Sequence, residues 1–160
     1  MHTVNETEIA APSELCFQLA ADVERWPELL PHYRRVGFRR PDGFGAGLVE
    51  MAARRDFGPL PYPVWWVSEM TSDPAVHVIR YRHVAGVTTG MEVEWSFHTL
   101  AHGRTRVRVV HDWELGPAWP LPGIARRKVA EWIIGPFFIH HVAGRTLAGV
   151  KREAERRRDA

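Results

Sequence analysis

The sequence predicts an α+β fold in which a curved, seven-stranded antiparallel sheet wraps around one long C-terminal helix, with two short helices after the first strand. Three observations predict it. Apolar residues recur with a helical period over residues 136–157. Six consecutive segments between residues 32 and 115 have the length of strands and are joined by short turns. One further strand-like segment and two short helical segments precede them. A sheet packed on a helix is one of the few layer arrangements that bury both apolar faces.

The C-terminal helix is amphipathic, but its apolar side carries small residues. Pro136 suits the first position of a helix. A helix of this length spans ~33 Å at 1.5 Å per residue. Placed at 100° per residue, its apolar stripe consists of Ile139, Ala143, Leu147, Val150 and Ala154. Because alanine is small, such a helix can lie across a sheet and leave space beneath it. We interpret this space as the functional site.

The N-terminal segment predicts one strand and two short helices. Residues 3–10 alternate weakly between apolar and polar, as a strand does. Residues 13–21 follow as a helix, and Asp22 can cap a second helix over residues 23–30. Two prolines keep this second helix short. We expect Trp26 to point from it into the core.

Six strands then follow in a meander. The predicted ranges are residues 32–40, 48–57, 63–71, 76–84, 91–100 and 104–115. In the later strands apolar and polar residues alternate, which predicts that one face of the sheet is exposed to solvent and the other is packed against the core. The same parity predicts which side chains face the helix. We expect the cavity to be lined from the sheet by Trp66, Ser68, Met70, Tyr81, His83, Trp95, Phe97, His111 and Trp113.

Composition excludes several classes of function. We expect residues 1–160 to form one domain, without a membrane span or an apolar leader, and to be cytoplasmic. The net charge is only +2, and no basic stripe is interleaved with aromatic residues, so we do not expect nucleic-acid binding. The single cysteine, Cys16, lies in an apolar helical run, which predicts a buried, inert thiol.

The run Ala-Asp-Val-Glu-Arg-Trp-Pro-Glu-Leu-Leu-Pro at residues 21–31, followed by Tyr33, resembles the polyketide cyclase/dehydrase group of the START/Bet v 1-like (SRPBCC) superfamily. Trp-Ser-Phe at residues 95–97, Thr-Arg-Val at 105–107 and Arg-Thr-Leu at 145–147 fit the same group. The resemblance covers nearly the whole chain. It implies a helix-grip fold with an elongated apolar cavity between the sheet and the long helix.

The resemblance also implies two kinds of activity. Members of the superfamily range from aromatase/cyclases that fold poly-β-ketone chains to lipid, sterol and quinone carriers without catalysis. In similar aromatase/cyclases a pocket Tyr follows the short helices, and a Ser and an Arg lie two residues apart on the Trp-rich strand. Tyr33 matches the Tyr and Ser68 matches the Ser. Met70 occupies the Arg position, which removes a fixed cation, and His32 stands where an acidic residue sometimes precedes the Tyr.

We therefore expect a hydrophobic small-molecule ligand, with two functions left open. As an enzyme, the protein would promote an aldol cyclisation or dehydration, and Tyr33, His83 and His111 would be the proton donors and acceptors. As a carrier, it would sequester a lipid, isoprenoid or quinone, and the same groups would only orient the ligand. The helix would contribute His140, Ala143 and Leu147 to the ligand site.

We predict no metal site and no cofactor. His83, His111 and His140 lie on separate predicted elements without a diagnostic ligand spacing. For the assembly state we expect a monomer or a homodimer.

Overall fold

The structure, a computed structural model, describes residues 1–57, 60–86, 88–114, 116, 122–129 and 140–160, with the side chains of residues 55–57, 60–62, 126, 127, 129, 140 and 141 left out of the description. Its helices are α1 (Ser13–Ala21), α2 (Trp26–Leu29), α3 (Gly123–Val129) and α4 (His140–Arg158). A short 3-10 turn, Val23–Arg25, joins α1 to α2.

Seven antiparallel strands form one sheet in the order β1-β7-β6-β5-β4-β3-β2. The strands are β1 (His2–Ile9), β2 (Tyr33–Pro41), β3 (Gly47–Phe57), β4 (Leu60–Asp73), β5 (Val78–Gly86), β6 (Glu92–Thr99) and β7 (Thr105–Asp112). Strands β2 to β7 are a meander in which each pairs with the next along the chain. The predicted fold class is confirmed.

The long helix α4 packs against β1, α1 and α2. Its buried side consists of Val142, Ala143, Thr146, Leu147, Val150 and Ala154, in agreement with the predicted apolar stripe. The predicted start of the helix at Pro136 lies outside the described residues. Among those residues no helix combines the length and apolar character that a bilayer span needs.

The outer face of the sheet is polar and paired. Arg80 lies 2.8 Å from Glu94, and Arg106 lies 3.4 Å from Glu6. Exposed ion pairs of this kind contribute only about 0–1 kcal/mol each. The opposite face packs against α1, α2 and α4.

Candidate functional site

A cavity lies between the inner face of the sheet and α4. Its volume is about 60 Å³, within about 510 Å³ of atom-free space that is partly open to solvent. Its wall is largely aromatic, with Trp26, Tyr33, Trp66, Tyr81 and Trp95. From the other side α4 contributes Val142, Ala143 and Thr146.

The alternation of the strands places these side chains. On β4, Trp66 is 5% exposed, whereas its neighbour Trp65 is 51% exposed. On β5, Tyr81 and His83 are buried, and Arg80 and Arg82 between and beside them are exposed. Neighbouring residues of a strand point to opposite faces of the sheet. Alternate residues therefore form a largely apolar inner face and a charged outer face.

Tyr81, Val93 and His111 form one row across three adjacent strands. Val93 on β6 is the register partner of Tyr81 on β5 and of His111 on β7. All three line the cavity. With strands about 4.8 Å apart, the Cα atoms of Tyr81 and His111 are separated by roughly 10 Å. The hydroxyl and the imidazole therefore reach the cavity from two separate points of its floor.

His83 is held by two neighbours. Its Nδ1 lies 2.6 Å from the hydroxyl oxygen of Thr88, and its ring stacks on Trp66 with the centroids 6.0 Å apart. Burial, and secondarily the proximity of His111, lower the pKa of His83 to about 3. The ring is consequently neutral at pH 7, and one of its nitrogens is already engaged.

His111 differs from His83 because its Nδ1 has no hydrogen-bond partner among the described residues, although the atom is buried. Burial lowers the pKa of His111 to about 4, and the neighbouring Asp112 partly opposes this shift. The Asp112 carboxylate itself lies 2.6 Å from Nδ1 of His2, and both side chains are exposed. His111 is thus a neutral imidazole with a nitrogen available to a ligand.

Three buried hydroxyl groups also lack a hydrogen-bond partner within the described part of the chain. They are the phenol of Tyr81, Oγ of Ser68 and Oγ1 of Thr3. Burial, and secondarily the nearby Tyr33, raise the pKa of Tyr81 well above its usual value. Buried polar atoms usually find partners because leaving one unpaired costs about 1–3 kcal/mol. An unpaired phenol in a cavity wall is therefore a candidate ligand contact.

Hydrogen bonds join Thr146 on α4 to His32 and to Tyr33 at the start of β2. Thr146 Oγ1 donates to the carbonyl of Val142 at 2.8 Å. Since a hydroxyl has a single hydrogen, the Tyr33 hydroxyl, 3.3 Å away, donates to Thr146. His32 Nε2 lies 2.9 Å from the same oxygen. Burial raises the pKa of Tyr33 well above its usual value, with Thr146 partly opposing the shift.

Replacing Thr146 with valine is expected to destabilise the protein by about 1–3 kcal/mol, because the buried Tyr33 hydroxyl and His32 imidazole would lose their shared partner. Urea unfolding monitored by tryptophan fluorescence measures the change. Thr146→Ser keeps the hydroxyl and is the matched control. A valine variant as stable as the serine variant would show that these hydrogen bonds contribute nothing.

The structure brings seven of the predicted site residues to the cavity: Tyr33, Trp66, Tyr81, His83, Trp95, His111 and Ala143. Five others are buried but do not line it: Ser68, Met70, Phe97, Trp113 and Leu147. Phe97 instead packs edge-on against Phe17, and Trp113 Nε1 donates to the carbonyl of Thr89 at 3.0 Å. The side chain of His140 lies outside the described residues.

Sequence reasoning missed the hydrogen-bonding roles of His32, Thr88 and Thr146. His32 and Thr146 are 114 positions apart and meet only when α4 docks on the sheet. Thr88 lies in the turn between β5 and β6 and bonds back to His83. The tight turn was the only sequence signal that could have indicated this last contact.

The comparisons with known proteins agree with this architecture. A family model described as "Polyketide cyclase / dehydrase and lipid transport" matches residues 9–138. A protein of Streptomyces cyaneus named "Putative polyketide cyclase" is 33% identical over 127 residues, which cover 75% of this chain and 77% of that protein. One of Streptomyces halstedii with the same name is 32% identical over 104 residues, which cover 64% of this chain and 92% of that protein.

Solved structures of similar shape include both an enzyme and a superfamily member without a stated activity. The Zhui aromatase/cyclase from Streptomyces sp. R1128 superposes with a TM-score of 0.76 at 26% identity, covering 98% of this chain and 94% of that chain. A START superfamily protein from Mycobacterium smegmatis gives a TM-score of 0.71 at 17% identity, covering 97% of both chains, and so supports the fold alone. The match over residues 9–138, together with the relative from Streptomyces cyaneus, establishes that this chain belongs to the polyketide cyclase/dehydrase and lipid transport family.

Proposed function

We propose that the protein binds a hydrophobic, polyketide-like or aromatic molecule in the cavity beneath α4 and orients it for cyclisation or dehydration. The observation that carries this proposal is the pairing of an aromatic cavity wall with the unpartnered Tyr81 hydroxyl and His111 Nδ1. Binding sites for small molecules are mostly apolar, with a few polar groups that fix orientation. The names of the Streptomyces relatives support the same ligand class.

Orientation would be the main source of catalysis at this site. A poly-β-ketone chain reacts with itself once two of its carbons are held at attacking distance, and confinement alone accelerates such steps strongly. Tyr81 and His111 would hydrogen-bond ligand oxygens, and the aromatic wall would impose the folded shape. Met70 supplies no cation, so a developing enolate oxygen would be stabilised by neutral donors.

The proton-transfer roles fall to His111 and Tyr33. His111 is neutral at pH 7 and has a ring nitrogen available for exchange with a ligand hydroxyl or an acidic C–H group. Tyr33 stays protonated to high pH, and its hydroxyl would donate to a ligand oxygen after turning away from Thr146. His83 would act indirectly, because its Nδ1 is engaged by Thr88 and its ring supports Trp66.

The proposal predicts that Ala143→Trp abolishes ligand binding. Ala143 is 5% exposed and lines the cavity, so an indole at this position would fill the space. We expect at least a 100-fold loss of affinity for 2-naphthol, measured by isothermal titration calorimetry. Ala148→Trp is the matched control, because Ala148 is exposed on the same helix and should leave affinity unchanged. Equal affinities for the two variants would place the ligand elsewhere.

One observation favours the carrier alternative. The described side chains around the cavity are all neutral at pH 7 or apolar, and the family's arginine position is Met70. Such a site can hold a lipid, isoprenoid or quinone without reacting with it. Native mass spectrometry of the freshly purified protein, followed by extraction, separates the two functions. A co-purified lipid or quinone supports the carrier, whereas an empty protein that cyclises a poly-β-ketone mimic supports the enzyme.

A further inference from the structure

The described lining of the cavity contains no Asp, Glu, Lys or Arg side chain. Among the described residues that line the cavity, the buried side-chain polar atoms without a partner are the Tyr81 hydroxyl and His111 Nδ1. Both belong to groups without a formal charge at neutral pH. The register partner of Tyr81 on β4 is Met70, an apolar residue that is 2% exposed. Within the described residues, the floor of the site therefore offers hydrogen bonds but no counterion.

We propose that this cavity selects uncharged ligands: it accepts a neutral aromatic molecule that carries a hydroxyl or carbonyl group and excludes carboxylates, sulfonates and phosphates. The inference rests on the proposed ligand-binding function and adds a selection rule to it. Its basis is the absence of charged side chains from the described lining, together with the two unpartnered polar atoms in the row Tyr81–Val93–His111.

Desolvation is the physical reason for the selection. An ionised group that leaves water for an apolar site loses several kcal/mol unless a partner charge compensates it. A ligand hydroxyl or carbonyl loses much less, and one hydrogen bond from Tyr81 or His111 offsets that loss. The same hydrogen bond also pairs a buried protein group that has no partner in the empty cavity. A neutral ligand therefore lowers the free energy of both the ligand oxygen and the protein group.

Most of the titratable groups around the cavity within the described residues are engaged with other side chains. His83 is bound to Thr88, His32 is bound to Thr146, and the Asp112 carboxylate beside His111 is paired with His2 on the outer surface. Burial keeps the pKa of His83 at about 3 and that of His111 at about 4. Both rings consequently remain largely neutral down to pH 5.

Three probes with one ring system test the selection. These are 2-naphthol, which is neutral between pH 5 and 7, 2-naphthalenesulfonate, which is anionic throughout, and 2-naphthoic acid, which gains protons as the pH falls. Calorimetry at pH 7, 6 and 5 should give a constant affinity for the naphthol. The affinity for 2-naphthoic acid should rise about tenfold per pH unit, in step with its neutral fraction, and the sulfonate should bind at least 100-fold more weakly than the naphthol at every pH.

The sulfonate distinguishes two explanations for a rising affinity of the carboxylic acid. If a protonated histidine were binding the anion, the sulfonate affinity would rise with falling pH as well, and the selection rule would be overturned. Equal affinity for naphthol and sulfonate at pH 7 would also overturn it, while the proposed ligand binding would stand. Failure of all three probes to bind would contradict the proposed function itself, and the selection rule with it.

A pair of Tyr→Phe variants tests the hydrogen-bonding part of the inference. Tyr81→Phe removes the unpartnered hydroxyl and should lower the affinity for 2-naphthol about tenfold. Tyr33→Phe removes the same atom from the same cavity, but that hydroxyl already donates to Thr146, so the effect on affinity should be smaller. An unchanged affinity in the Tyr81 variant would overturn the assignment of this hydroxyl to the ligand. Both changes keep the ring that packs in the wall.

Discussion

Lowering the pH from 7 to 5 is expected to destabilise the protein by roughly 3 to 4 kcal/mol, because His83 and His111 are buried as neutral rings. In the unfolded chain a histidine binds its proton near pH 6.5. In the folded chain the pKa values are about 3 and about 4. Between these limits the unfolded state binds more protons, so stability is complete above pH 6.5 and falls as the pH decreases.

Urea unfolding at pH 7, 6 and 5 measures this loss. Below pH 6 the slope should approach about 1.4 kcal/mol per pH unit for each histidine. His111→Leu should halve the slope, because one of the two buried rings is removed. Glu153, whose pKa the hydrogen bond from Arg156 lowers to about 2, contributes in the same direction but mainly below pH 4.5. Equal stability at pH 7 and 5 would show that the two rings are solvated in the fold.

Replacing Gly86 with alanine is expected to destabilise the protein by about 3 kcal/mol or more. Gly86 has φ +97°, a conformation that side chains with a Cβ rarely adopt and that costs about 1–3 kcal/mol. An added Cβ would also overlap the carbonyl oxygen of Trp65 and lie 2.8 Å from Cα of Trp66. These are backbone atoms of the paired strand, so they cannot move aside without disturbing the sheet.

The same variant should also weaken ligand binding, because Trp66 is the register partner of Gly86 and forms part of the cavity wall. Thermal unfolding and 2-naphthol titration measure the two effects. Gly37→Ala is the matched control, since Gly37 also lies in a strand but a Cβ there meets no atom within 4 Å. If both alanine variants unfold at the same temperature as the unchanged protein, the strain and the overlap at Gly86 are absent.

The periodicity of the chain was sufficient to predict the fold. Alternation on β5 separated Tyr81 and His83 from Arg80 and Arg82, and the structure buries the first pair and exposes the second. The apolar stripe of the last helix identified Ala143 as a residue beneath which space remains, and Ala143 lines the cavity. Both signals are local, since a strand or helix period can be read from a few consecutive residues.

Strand β4 shows where such local reasoning fails. The sequence predicted a strand over residues 63–71, whereas β4 begins at Leu60. Pro61 and Pro63 pair with β3, but the described pairing of β4 with β5 begins only at Trp66. Over its first residues β4 is therefore an edge, where a proline without an N–H group is tolerated. The end of the neighbouring strand determines this, and it is not visible in the sequence of β4.

The hydrogen-bonding partners within the site could not be predicted from local sequence patterns either. The sequence placed Tyr33, His83 and His111 together by parity and resemblance, but could not tell which of them was already engaged. Thr146 holds Tyr33, and Thr88 holds His83, while Nδ1 of His111 has no partner among the described residues. This distinction depends on distances between side chains of separate elements, which no residue period encodes.

The order of the strands has a consequence for how the protein folds. The meander from β2 to β7 joins neighbours in the chain, but β1 pairs with β7 across roughly 100 residues, with Ile9 opposite Thr105. Contacts of such separation close slowly because much chain entropy is lost before they form. During synthesis β1 is made before its partner β7. The helix α4, which packs on β1, follows β7 in the chain and is made later still. We therefore expect the hairpins to form first and the cavity, which needs both β1 and α4 in place, to form last.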